Sequence, residues 1–210
     1  MSEDYKLLYF NKRGGGEIIR LVFAATNTKY EDCRLEMEEW LKLKPDFPMR
    51  SLPCLQVTNG ESKITYCQSG AIAKYLARKN GLYLNLAEKN LLIEEMYDSV
   101  GDVRSALVQI HFTADNDTKK SLQEKLIKET IPKFAALFKQ RMSEFGKDGY
   151  VIGSQLTLAD LAVFNMVDSC IEMGMQSLWQ PYKDLIKHHD TIKQIDNIAK
   201  WLKTRPKTEV

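Results

Sequence analysis

Four groups of residues in the first third of the chain carry side chains able to bind or polarise a small anion. Tyr9 places a hydroxyl at the C-terminal end of the short apolar stretch Tyr5–Phe10, the end at which open α/β sheets bind ligands. Trp40 and Lys44 stand one helical turn apart, so that an indole N–H and an ammonium can grip one carboxylate. Leu52-Pro53 opens an apolar alternating stretch. If that bond is cis, the preceding backbone can turn outward and pair with an extended ligand as an added strand would. Gln68-Ser69 opens a helix, whose unpaired N–H groups and partial positive charge attract carboxylates and phosphates. Each group also has an ordinary reading. These are a buried tyrosine bonded to backbone, a core tryptophan beside a solvated lysine, a trans proline, and a serine that caps its helix. Only their order along one chain makes them specific.

The elements that must hold these groups are legible around them. Tyr5–Phe10 reads as a buried strand, Gly14-Gly15-Gly16 as a close turn, and Glu17 as the start of a helix whose acidic end suits the dipole. Ile18, Ile19, Leu21, Val22, Phe23 and Ala25 make that helix apolar on most sides. Lys29 to Arg34 is polar enough for a strand near an edge, and Glu36 to Lys44 is a short helical stretch broken by Pro45 and Pro48. Leu52–Val57 and Lys63–Cys67 flank Asn59-Gly60, a hairpin signal, with proline tolerated at the first position of a strand. Ser69 starts a helix that Gly81 stops. A strand–helix–strand unit followed by a hairpin and a helix predicts a thioredoxin-like α/β domain over residues 1–81.

Residues 82–88 form a connector, and residues 89–210 are expected to be wholly helical. One helix is predicted from Glu88 to Phe112, a second from Ser121 to Phe145 kinked at Pro132, and 113–120 joins them. Leu156-Thr157-Leu158-Ala159-Asp160-Leu161 is a helix start in which Thr157 and Asp160 can cap each other. The apolar run after it marks the core of this domain. A last amphipathic helix spans Ile192 to Leu202.

Composition excludes several classes. A net charge of +2 on 210 residues gives no expectation of nucleic acid or membrane as a partner. No apolar run reaches the roughly 18 residues that span a bilayer. The start Met1-Ser2-Glu3-Asp4 lacks the regions of a signal peptide, so a cytoplasmic protein with reduced thiols is expected. Cys33, Cys54, Cys67 and Cys170 show no short paired spacing, which suggests neither a zinc site nor a redox pair, and no metal is expected. The adjacent His188 and His189 read as a solvated surface pair.

The combination of a strand-end Tyr9, a Trp40-x-x-x-Lys44, a Leu52-Pro53 opening a strand and a Gln68-Ser69 opening a helix, followed by an all-helical part with a Leu-Thr-x-x-Asp start, resembles the cytosolic glutathione transferases. The sigma class, with its haematopoietic-type prostaglandin D synthases and helminth and mollusc relatives, is the most similar. The resemblance runs from Tyr5-Lys6-Leu7-Leu8-Tyr9-Phe10 through Tyr30-Glu31-Asp32-x-Arg34 and Gln68-Ser69-x-Ala71-Ile72-Ala73 to Trp201-Leu202-x-x-Arg205-Pro206. It implies a two-domain homodimer that takes glutathione as co-substrate and a small hydrophobic electrophile.

Carried over residue by residue, Tyr9 matches the catalytic tyrosine, and Trp40 and Lys44 match residues that hold the glycine end of glutathione. Leu52 matches the backbone partner of the cysteinyl part, ahead of a cis-proline at Pro53. Gln68 and Ser69 match the pair that binds the γ-glutamyl carboxylate, and Asp102 of the partner subunit matches an acid that reaches the γ-glutamyl amine. The electrophile pocket would be lined near Phe10, Val103, Arg104 and the last helix.

The resemblance implies conjugation by a glutathione thiolate that Tyr9 stabilises. Related alternatives are a glutathione-dependent prostaglandin D isomerase and a non-enzymatic, crystallin-like ligand carrier. The chain departs from many sigma-class members at Arg13-Gly14-Gly15-Gly16-Glu17, where Gly15 replaces a turn arginine, and at Met49-Arg50-Ser51, which replaces a glycine-containing turn.

Overall fold

The computed structural model describes residues 3–208. By its internal contacts the chain divides into two compact units. One comprises the residues up to Gly81 together with those from Ile195 onward, and the other is Leu82–Gln194.

In the first unit, β1 (Asp4–Phe10), β2 (Glu31–Leu35), β3 (Cys54–Asn59) and β4 (Ser62–Cys67) form one mixed sheet in the order β2-β1-β3-β4. β1 pairs with β2 in parallel and with β3 antiparallel, and β3–β4 is the hairpin turned at Gly60-Glu61. Helices α1 (Glu17–Ala25) and α3 (Ser69–Lys79) pack together, and α2 (Met37–Leu43) follows β2. This is the expected α/β arrangement, with each predicted boundary shifted by a few residues at most.

The reason is visible in the side chains. Leu7, Ile19, Leu21, Val22, Phe23, Ile72, Ala73 and Leu76 are sealed from solvent. At about 2 kcal/mol for each large apolar side chain so buried, this layer far outweighs an exposed pair such as Lys6–Glu31 at 2.8 Å, whose kind contributes about 1 kcal/mol at most.

The second unit is all helical: α4 (Ala87–Phe112), α5 (Asn116–Lys125), α6 (Ile131–Phe145), α7 (Leu158–Glu172) and α8 (Lys183–Lys193). The helix predicted from Ser121 begins five residues earlier, because Asp115 accepts a hydrogen bond from the Thr118 N–H and caps it. The kink expected at Pro132 is a π-helical turn over Leu126–Thr130, with the Ile131 N–H reaching back to the Leu126 carbonyl. Pro132 has no N–H and its ring crowds the preceding turn, so the ladder widens just ahead of it. α7 is buried on nearly every side, and the Thr157–Asp160 capping box is present.

One expectation about the C-terminal part needs correction. The last helix read from Ile192 to Leu202 is two helices, the end of α8 and α9 (Asp196–Thr204). By its contacts α9 groups with the first unit. Its anchor is Glu17 of α1, whose Oε1 accepts hydrogen bonds from Trp201 Nε1 at 2.9 Å and Arg205 Nη1 at 3.0 Å. An amphipathic helix states that it will bury one face and is silent about which surface it buries it on.

His188 and His189 are likewise not a surface pair, since both are buried on α8. His188 lies 3.0 Å from Asp160, and His189 lies 3.3 Å from Asp168 and 3.1 Å from Asp190. Among the described residues no helix is long and apolar enough to cross a membrane.

Candidate functional site

The ladder brings three of the four residue groups to one edge of the sheet. Leu8 pairs with Cys54, and Cys54 pairs with Cys67. Tyr9 follows Leu8, Pro53 precedes Cys54, and Gln68 follows Cys67. Because β3 runs opposite to its two neighbours, all three lie one residue beyond the same row, on the same side.

Tyr9 sits half-buried against the glycine turn. Its hydroxyl oxygen accepts the Gly15 N–H at 2.9 Å. Among the described residues the hydroxyl hydrogen has no acceptor, so it is left to donate. A Cβ at Gly16 would stand 2.7 Å from Tyr9 Cδ1, and one at Gly14, whose φ is +37°, would stand 2.5 Å from the hydroxyl oxygen. The ring packs directly on backbone, and the glycines are what let it do so.

Beneath the turn lies a network of buried charges that the sequence reading passed over. Arg20 is fully buried. It donates from Nη1 to the Lys12 carbonyl at 2.7 Å and from Nε to Asp32 Oδ1 at 3.0 Å, and it approaches Glu17 at 3.5 Å. Its guanidinium carbon is 5.8 Å from the centre of the Tyr9 ring, within the range of a cation–π contact. Arg34 joins through Asp32 Oδ2 at 2.9 Å and Asn11 Oδ1 at 3.3 Å. The turn therefore lacks an arginine at Gly15, yet a cation faces the Tyr9 ring from α1. The signal for it was present: Glu17 and Arg20, one turn apart in an otherwise apolar helix, can be buried only if they are paired. β2 is an edge strand of the sheet, as its polarity led one to expect, and its Asp32 and Arg34 belong to this network.

Trp40 is buried and packs in a cluster with Leu8, Leu35, Phe10, Phe47 and Leu52. Its ring meets Phe10 edge-on at 6.4 Å and Phe47 at 5.6 Å. The Trp40 indole N–H bonds to no described residue. Lys44 is exposed one turn on, its backbone N–H bonded to the Trp40 carbonyl. Trp40 thus joins the Tyr9 edge through Phe10 and Leu52 and carries Lys44 with it.

The Leu52–Pro53 bond is cis. The loop before it holds Met49 and Arg50 at φ of 55° and 47°, a left-handed conformation that explains why a glycine suits this turn. Gln68 is also left-handed, at φ 75°, and its Nε2 donates to Met49 Sδ at 3.4 Å. Ser69 opens α3, and no side chain caps the free N–H groups of that end.

Asp102 is exposed on α4 in the second unit. Val103 beside it is buried and Arg104 is exposed. A broad groove of about 660 Å³ on the helical unit, bordered by Gln176, Lys183, Lys187, Asp190 and Gln194, contains none of the site residues.

The structure also brings together two cysteines whose thirteen-residue spacing gave no hint of a pair. Cys54 and Cys67 are opposite partners across the hairpin, and their sulfurs are 3.3 Å apart. Strand register, not spacing along the chain, makes that contact.

The arrangement is one hydroxyl donor held by a backbone N–H, an open helix N-terminus, a cis Leu52–Pro53 bond at a strand start, and Trp40 with Lys44 one turn on. It suits an extended, anionic, peptide-like ligand with one atom to be polarised at Tyr9. Comparison with known proteins points the same way. Residues 5–78 match the family model "Glutathione S-transferase, N-terminal domain" and residues 101–205 match "Glutathione S-transferase, C-terminal domain". The chain is 32% identical over 206 residues to Glutathione S-transferase 4 of Caenorhabditis elegans, covering 96% of this chain and 97% of that one. It is also 32% identical over 208 residues to hematopoietic prostaglandin D synthase of Mus musculus, covering 99% of each. A solved Nu-class GST from Haemonchus contortus superposes with a TM-score of 0.89 at 31% identity, covering 100% of both chains. On these matches, which run the length of the sequence, the chain belongs to the glutathione S-transferase family.

Proposed function

We propose that this protein conjugates glutathione to small hydrophobic electrophiles, with Tyr9 stabilising the glutathione thiolate. The observation that carries this reading is the Tyr9 hydroxyl, fixed by the Gly15 N–H at 2.9 Å and left with its own hydrogen to donate. A thiol with a pKa near 8.5 is only a few per cent thiolate at neutral pH. One hydrogen bond aimed at the sulfur favours the charged form, and lowering that pKa by about two units takes about 2.7 kcal/mol. That is within the range of a single charge-assisted bond. The N–H donated into the phenol oxygen polarises it further.

In this reading Trp40 and Lys44 hold the glycine carboxylate, and the Leu52 backbone pairs with the cysteinyl part. Gln68 and Ser69, at the open end of α3, hold the γ-glutamyl carboxylate. Asp102 of the partner subunit meets the γ-glutamyl amine in a homodimer. The N-terminal unit is the glutathione-binding domain, and the helical residues near Val103 and Arg104 contribute to electrophile binding. No metal takes part, and detoxification in the cytoplasm is the setting. The relative named hematopoietic prostaglandin D synthase supports a second reading, isomerisation of a prostaglandin endoperoxide with glutathione released unchanged.

The test is to offer the purified chain glutathione with a chlorinated nitroaromatic and, separately, a prostaglandin endoperoxide. A conjugate formed with consumption of glutathione is the expected result. Isomerised endoperoxide without consumption, and no conjugate, would favour the second reading. Failure in both assays, with no retention on immobilised glutathione, would leave a ligand carrier.

The turn supplies a sharper prediction. Gly16→Ala introduces a Cβ 2.7 Å from the Tyr9 ring, and the ring, not a flexible tip, must move. Turnover is expected to fall about tenfold to a hundredfold, as a displacement of about 1 Å costs in a positioned site. The KM for glutathione should change much less, because the carboxylate contacts lie elsewhere. Equal turnover of Gly16→Ala and the parent would show that ring position is unimportant.

A further inference from the structure

Cys54 and Cys67 have the geometry of a closable dithiol. Directly opposite residues of an antiparallel pair have Cα atoms about 4.5–5.5 Å apart, inside the span that disulfides take. Both side chains leave the same face of the hairpin, and the sulfurs already lie within 3.3 Å. Cys54 is buried and Cys67 is partly exposed, so one thiol can meet a solute and the other can follow. Each also holds the loop before β3: Cys54 Sγ donates to the Ser51 carbonyl at 3.2 Å and Cys67 Sγ to the Pro48 carbonyl at 3.1 Å. That loop runs into Leu52, and Cys67 runs into Gln68 and Ser69.

We propose that Cys54 and Cys67 are a redox-active dithiol oxidised by low-molecular-weight disulfides, with glutathione disulfide the one this site would meet, and that closing it weakens glutathione binding. In the first step the Cys67 thiolate attacks one sulfur of glutathione disulfide. A Cys67–glutathione bond forms, the original S–S bond breaks, and one glutathione departs as thiolate. In the second step the Cys54 sulfur attacks Cys67 and expels the second glutathione, which carries away the Cys54 proton. Two protein thiols and one disulfide become one protein disulfide and two glutathione thiols, and two electrons pass from protein to solute.

Burial and the neighbouring sulfur push the Cys54 thiol up to about 12, which leaves Cys67 as the group that reacts first. Once closed, neither sulfur has a proton to donate, and the Pro48–Ser51 loop loses both anchors beside Leu52 and Gln68.

The bond itself stands on the hairpin geometry alone; its effect rests on the reading that Leu52, Gln68 and Ser69 hold glutathione. The reduced full-length protein should be incubated with glutathione disulfide, quenched by alkylation, and analysed by intact mass and non-reducing peptide mapping. The expected product has lost two hydrogens, carries no glutathione, and joins the Cys54 and Cys67 peptides. Cys54→Ser should stop at a mixed disulfide on Cys67, and Cys67→Ser should leave Cys54 unmodified. Four unmodified thiols, or a lasting glutathione adduct on wild-type Cys67, would overturn the dithiol.

Calorimetry then compares glutathione binding by the two forms. Losing both thiol hydrogen bonds to the loop beside Leu52 predicts affinity at least about fivefold weaker in the oxidised form. Equal affinities would overturn the coupling. A reduced form that binds no glutathione would instead refute the site reading and leave the mass result to decide the dithiol.

Discussion

Replacing Tyr9 by phenylalanine is expected to lower turnover about twentyfold to thirtyfold at pH 7, the ratio of thiolate present when the thiol pKa returns from about 6.5 to about 8.5. The ring remains and continues to pack on Gly14 and Gly16, with Arg20 at 5.8 Å from its centre. Glutathione affinity should therefore stay near its parent value, because Trp40, Lys44, Leu52, Gln68 and Ser69 are untouched. The sign of the pH dependence is fixed by the mechanism. The deficit is largest below the lower thiol pKa of about 6.5, shrinks between the two values and closes as pH rises past about 8.5, where the thiol ionises without help. Turnover measured from pH 6 to 9 checks both features. A uniform loss across that range would mean that Tyr9 positions the substrate and does not govern its ionisation.

The largest stability effect is expected at Asp160. Its carboxylate is fully buried. It accepts from the Val151 N–H at 2.8 Å, the Thr157 N–H at 2.8 Å and the Thr157 hydroxyl at 2.7 Å, and it meets His188 Nε2 at 3.0 Å. Four polar groups from three segments converge on one side chain. Asp160→Ala removes the acceptor and leaves each of them without a partner in a site closed to water. A loss of about 3–5 kcal/mol is expected, as for breaking a buried charged network from one side, against a total stability of about 5–15 kcal/mol. Asp160→Asn keeps the shape and one acceptor oxygen and should fall between the two. Urea unfolding followed by helical circular dichroism checks the order. An Asp160→Ala midpoint equal to the parent's would contradict it.

The sequence made some of this readable and hid the rest for identifiable reasons. Tyr9, Pro53 and Gln68 could be found because each sits at an element boundary that local residue types mark: the end of an apolar strand, a proline opening, a polar residue before a helical run. The thioredoxin-like sheet was legible because Asn59-Gly60 and Gly81 punctuate it. The capping box at Thr157 and Asp160 was legible because both partners lie within four residues.

What was hidden depends on contacts between distant segments. Arg20 of α1 lies twelve residues from Asp32 of β2 and meets it only through the folding of the strand–helix–strand unit. Glu17 meets Trp201 and Arg205 from the other end of the chain. His188 and His189 looked like a solvated pair because nothing local shows that Asp160 and Asp168 of α7 face them. Cys54 and Cys67 became neighbours through the strand register. In each case the missing information was a tertiary pairing that buried charge or sulfur requires and that periodicity along the chain does not encode.

The central claim, that Tyr9 holds the bound glutathione as thiolate, is tested most directly by the ultraviolet thiolate absorbance of the glutathione complex titrated with pH. The parent protein should show that band rising with a midpoint about two units below that of free glutathione, and Tyr9→Phe should return the midpoint to the free value. The same midpoint in both proteins would contradict the claim.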